Sequence, residues 1–288
     1  MLKSFNKVKY GVFSFIIVLL FMSVGHIIMS IIDKNFELGK FIGAGIVGFL
    51  GLFFLVVGVF KNDNSSIAAL FGFLAGVFIW TGWVEFSFVW IAEKLNVQPL
   101  IENGEIATRP EYLVMMSSVG LLAAILLLFL FQQTRCQFFN WFQKIFRFKN
   151  QVKLATKNYR PMAVNVFIET IMILWFFYIL LLFVYDDDIA GDKHPITIFV
   201  AFGSLFWSLY LGLQLIKIQK FDYAIRYAIP TAIIFWNFIE VIGRWDFFTE
   251  IWVHPKEYWI QNSIIMLLLI GFIVYYIVET ARNKKNIS

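Results

Sequence analysis

Long apolar runs alternate with short polar breaks along this chain, and the lengths of the runs decide the fold class. Crossing about 30 Å of hydrocarbon takes about 20 helical residues. Eight runs reach that length, at about 8–32, 40–60, 66–92, 112–132, 162–185, 195–216, 224–246 and 259–281. The pattern predicts an all-α, polytopic membrane protein with eight transmembrane helices. The first run exceeds the apolar core of a signal peptide and lacks a clear small-residue cleavage site, so it is read as an anchor.

The polar breaks set an orientation. Lys and Arg fall mainly on alternate sides: 17 lie with the N-terminus, the breaks at 61, 135–160 and 217–226, and the C-terminus, against 6 on the other side. Most acids lie opposite, including Asp186, Asp187 and Asp188. The positive-inside rule then expects both termini in the cytoplasm. Within the longest basic break, Phe138 to Phe148 sets Phe138, Phe139, Trp141, Phe142, Ile145, Phe146 and Phe148 against Gln143, Lys144 and Arg147. That mixture predicts a cytoplasmic, interfacial amphipathic helix.

Two stretches resemble one another. Glu85 and Trp90 match Glu240 and Trp245, and each pair is followed by a Pro, a Tyr and a Ser: Pro110, Tyr112 and Ser117 in one case, Pro255, Tyr258 and Ser263 in the other. Upstream, Phe49, Leu52 and Phe53 match Phe202, Leu205 and Phe206. The expected organisation is a 4+4 parallel internal repeat: residues 1–132, a basic connector over 133–160, and residues 161–288. Four crossings return the chain to its starting side, so the halves would be related by an axis along the membrane normal.

Composition agrees with the run lengths: 60% of the 288 residues are hydrophobic and only 15% charged. The net charge of +5 segregates by loop, which expects a lipid bilayer as partner and no nucleic acid. The single cysteine, Cys136, excludes an internal disulfide or a Cys-based metal site, and three histidines leave few haem ligands. No nucleotide-binding, HExxH, GxSxG or CxxC motif occurs, and the sequence leaves any cofactor unknown. Richness in Phe, Ile, Lys and Asn fits AT-rich bacterial coding, hence an expected bacterial inner membrane.

Candidate chemistry comes from charges inside the runs, each of which costs about 2.5–3.5 kcal/mol on insertion scales and so should find a partner. Glu240 and Arg244, four apart, are expected to pair on one helix, with Trp236 and Asn237 on the same face. Glu85 and Thr81 occupy the matching face of the third run, and Val89 stands where a second arginine would be. Asn165, Glu169 and His26 are expected as a secondary polar path. Asp186, Asp188, Asp192, His194 and His254 are the candidate metal ligands, although the loop lacks the closing Glu of an EF-hand. Pro230 is expected to kink the seventh run below Trp236.

Buried charges in a tandem repeat fit best a transporter or permease with its site open outward, coupled to a proton or cation. The alternatives are a non-catalytic subunit of a larger membrane complex, and a bilayer-embedded enzyme acting on a lipid or quinone. Further copies or other membrane subunits are the expected protein partners.

Overall fold

The computed structural model describes residues 2–35, 39–102, 105–130, 137–146 and 161–285. Its elements are α1 (Leu2–Asn35), α2 (Lys40–Phe60), α3 (Ser65–Lys94), a hairpin of β1 (Leu100–Glu102) and β2 (Glu105–Thr108), α4 (Pro110–Met116), α5 (Val119–Leu130), α6 (Gln137–Ile145), α7 (Met162–Tyr185), α8 (Pro195–Leu215), α9 (Phe221–Arg244) and α10 (Trp259–Lys285). The protein is thus a helical, multi-pass membrane protein, and the one departure from all-α among the described residues is the short antiparallel hairpin, which pairs Ile101 with Ile106.

Among the described residues, seven helices are long and apolar enough to cross a membrane, and an eighth crossing is present if α4 and α5 count as one. The fourth run, expected over about 112–132, bends by 40° where α4 meets α5. The cause lies in Ser117 and Ser118. Their hydroxyls donate back to the carbonyls of Val114 and Met115, at 2.6 Å each, competing with the helical ladder. Trp175 of α7 then donates to Ser118 Oγ at 2.9 Å, tying the bend to the bundle.

Helices α1, α3, α7 and α9 form the buried centre, while α2, α8 and α10 present most of their length outward. Small residues let the central helices approach. Ala224, Ala228 and Ala232, spaced by four along one stripe of α9, are fully buried. Gly72 of α3 lies directly on the Ala163 backbone of α7, and Gly82 on the backbone of Ala44 and Gly48 in α2. Polar ties fasten one end of the bundle: Ser65 Oγ donates to Asp222 Oδ2 at 2.8 Å, the Tyr276 hydroxyl to the Ser66 carbonyl at 3.0 Å, and Lys9 to Glu279 at 2.6 Å. Asn62 Oδ1 accepts from the Met162 amide at 2.9 Å and so caps the first turn of α7.

The amphipathic helix is present as α6, at the end of the bundle opposite the hairpin. Its aromatic face packs into protein: Phe139 stacks on Phe129 at 4.2 Å, and Phe138 and Phe142 meet Phe176. Arg147, Phe148 and the rest of the connector through 160, with Cys136, lie outside the described residues.

Close backbone approach makes a prediction. Gly72→Ala would force a methyl against the Ala163 carbonyl and should cost about 1–3 kcal/mol. Gly203→Ala, where nothing stands nearby, should be neutral or slightly stabilising. Thermal unfolding in detergent compares the two, and equal melting temperatures would contradict the packing described.

Candidate functional site

The sequence places Glu85 and Glu240 on different helices, and the fold brings a third residue between them. His26 of α1 reaches Glu240 with Nε2 3.2 Å from Oε1, and its ring stacks on Trp236 at 5.9 Å. Glu85 and Glu250 face the same imidazole at longer range. His26 therefore stands beside Glu240, whereas Glu169 lies toward the opposite end, where Arg226 grips both its carboxylate oxygens.

Glu85 and Glu240 each receive an indole N–H from their own helix. Trp236 donates to Glu240, four residues on, and Trp80 donates to Glu85 at 3.0 Å, five residues on. The unequal spacing follows from backbone geometry, since Trp80–Glu85 forms a π-helical turn whose i→i+5 pitch sets those two side chains together. The Tyr178 ring of α7 stands 5.6 Å from Trp80, beside the Glu85 carboxyl. Thr81 is buried there too, and Thr81, Glu85, Tyr178 and His26 share a small void.

Arg244 takes a different partner from the one expected. Instead of bridging to Glu240, its guanidinium holds Asp192 of the loop between α7 and α8 with two bonds, Nε–Oδ1 at 2.8 Å and Nη2–Oδ2 at 3.0 Å. It also lies over the Tyr185 ring at 4.2 Å. Trp245 donates to the Asp192 carbonyl at 2.8 Å, so two successive residues at the end of α9 anchor that loop. A two-pronged carboxylate is geometrically better for a planar guanidinium than a same-helix neighbour four residues away. Trp90, which the expected repeat would match to Trp245, is half exposed beside Lys94.

His26, Tyr178, Tyr185, Trp236, Glu240 and Arg244 line one cavity of about 370 Å³ between α1, α7 and α9, bordered at the hairpin end by Thr108, Arg109, Glu250 and Trp252. His26 and Glu240 keep 17% and 22% of their side-chain surface exposed although helices surround them, so their free faces are cavity wall. Asn237 Nδ2, the Tyr185 hydroxyl and Glu250 Oε1 are buried without a hydrogen-bond partner among the described residues. Leaving such atoms unpaired costs about 1–3 kcal/mol each, and all three belong to residues that line the same cavity.

Sequence reasoning missed Glu250, Tyr178, Tyr185 and Trp252. Glu250 carried no visible signal, because it lies in a loop after α9 and reaches the cavity by packing its carboxyl against Gly243. The expected metal ligands do not assemble: no group of three His, Cys, Asp or Glu side chains suited to a metal occurs among the described residues. Asp192 is engaged by Arg244, Asp186 accepts from the Asp188 amide at 2.9 Å, His194 caps α8 by accepting from Ile196 at 3.2 Å, and His254 is exposed.

The chain shows no match among protein-family models, curated proteins or solved structures.

Burial, followed by the negative charge of Glu240, pushes the Glu250 carboxyl up to about 7, against the smaller opposing effects of His26 and Arg244. An exposed glutamate titrates near 4.3, so between those values the folded protein binds more protons than the unfolded chain. Stability therefore falls as pH rises across that interval. Glu250→Gln should leave the melting temperature nearly unchanged at pH 4, below both titrations, and raise it at pH 8; an identical shift at both pH values would contradict this.

Proposed function

We propose that this protein is a permease-like transporter of a small polar or charged solute, which enters the cavity bounded by His26, Glu240 and Glu250. The observation that carries the reading is the set of buried, unpartnered polar atoms of Asn237, Tyr185 and Glu250 around a space that also reaches an intramembrane carboxylate–imidazole pair. A purely structural ion-pair network would have closed on itself. Here Asn237, Tyr185 and Glu250, together with Arg244, His26 and Glu240, line an open volume.

The chain of Glu250, Glu240, His26 and Glu85 offers proton-holding groups from the hairpin end into the bundle, a sensible basis for proton coupling. The distribution of Lys and Arg supports cytoplasmic termini, so the cavity opens to the outside of a membrane that we take to be the bacterial inner membrane. The 4+4 repeat, divided at the connector over 133–160, gains support from the two tryptophans. Matching Glu85 to Glu240 sets Thr81, not Trp80, opposite Trp236; the wide turn absorbs one extra residue, so Trp80 and Trp236 make the same bond to equivalent carboxylates.

The test is uptake by proteoliposomes offered pooled small solutes, with accumulated compounds identified by mass spectrometry. Saturable accumulation by the wild type should fall by about tenfold or more with Glu240→Gln and with Glu85→Gln, by analogy with other positioned acid–base groups. Glu93→Gln, at an exposed ion pair with Lys40, should keep it. Absence of any accumulated solute, with recovery of the protein bound to unrelated chains, would replace transport with a subunit role.

A further inference from the structure

A second cavity, of about 450 Å³, lies at the other end of the bundle and is used by nothing described above. Its shape follows from how α8 is held. Thr197, at the start of α8, donates to the Val184 carbonyl of α7 at 2.9 Å and so joins the two helices at the hairpin end. Toward the other end they separate, and Tyr227, Pro230 and Ile234 of α9 form the floor between them. Phe176 and Ile173 of α7 make one wall, and Trp207 and Leu211 of α8 the other. Helix α6 lies across the mouth, with Trp141 stacked on Trp207 at 5.4 Å.

The chemistry of this cleft is divided. Its body is aromatic and aliphatic, within the length of helices that span the membrane, where an apolar space beside lipid is filled by hydrocarbon rather than by water. Its mouth is cationic. Lys144 is exposed on α6, and Arg226 lines the cleft while holding Glu169, so the lining carries two positive charges against one negative. Lys217 and Lys220 flank Ile218, which also lines the cavity.

We propose that the cleft is a binding site for one anionic phospholipid of the surrounding leaflet, an acyl chain lying between α7 and α8 and the phosphate meeting Lys144 at the mouth. Aromatic walls grip the chain through surface contact, and the cations select the headgroup charge. The site is separate from the cavity at the hairpin end and does not depend on transport.

The full chain, purified in an uncharged detergent, is offered equal amounts of phosphatidylglycerol and phosphatidylcholine with matched acyl chains, and native mass spectrometry counts the lipid retained. One phosphatidylglycerol should be kept over phosphatidylcholine by about fivefold or more, the ratio that one lysine near the headgroup supplies. Lys144→Gln, an exposed change that leaves packing alone, should bring the two lipids to near-equal retention. Leu211→Trp, which fills the cleft, should retain neither, and inorganic phosphate alone should not change the melting temperature. Equal retention of both lipids by the wild type, an unchanged preference in Lys144→Gln, full retention by a folded Leu211→Trp, or stabilisation by phosphate alone would each overturn the proposal. Should Leu211→Trp not fold, the Lys144→Gln comparison decides.

Discussion

A charge held among lipid-facing helices must be matched inside the protein, and that requirement accounts for much of the bundle's layout. Glu169 is met by Arg226, Glu240 by His26 and Trp236, and Glu85 by Trp80, each through side chains on the central helices α1, α3, α7 and α9. Removing one partner of a buried pair costs about 3–5 kcal/mol, because it strands the other charge. Such pairs therefore resist rearrangement and fix which faces of those helices look inward.

Within that frame the two ends of the bundle serve different chemistries. At the hairpin end, polar groups outnumber their partners and enclose a cavity, whereas at the α6 end the buried pair of Glu169 and Arg226 sits beside an aromatic cleft. Phe177 lines both spaces, with Leu174 and Ile233 on one side and Ile173 and Ile234 on the other. Apolar side chains at mid-depth thus separate a polar compartment from an oily one.

Run length made the membrane class and most helix positions legible, because hydrocarbon thickness is a strict requirement that few residues satisfy by chance. The break at Ser117 and Ser118 was not legible, since each hydroxyl's choice of a carbonyl in its own turn leaves no mark on hydropathy. In the site, Glu85, Glu240, Trp236 and Asn237 stood out as polar or amphipathic residues inside apolar runs. Their pairings did not, because His26 reaches Glu240 from another helix and Asp192 reaches Arg244 across 52 residues of sequence. Local spacing favoured the bond between Glu240 and Arg244; tertiary geometry offered the arginine a two-oxygen partner instead.

The roof of the polar cavity is made from loops, and this has a kinetic meaning. Thr108 ends the hairpin and Arg109 follows it, Glu250 and Trp252 lie between α9 and α10, and the loop bearing Asp192 is pinned by Arg244 and Trp245. Loops open locally at a small fraction of the free energy needed to part packed helices. Exchange of a guest at that mouth is therefore timed by a few surface contacts, chiefly the clasp on Asp192, and can be fast while the helical scaffold stays still.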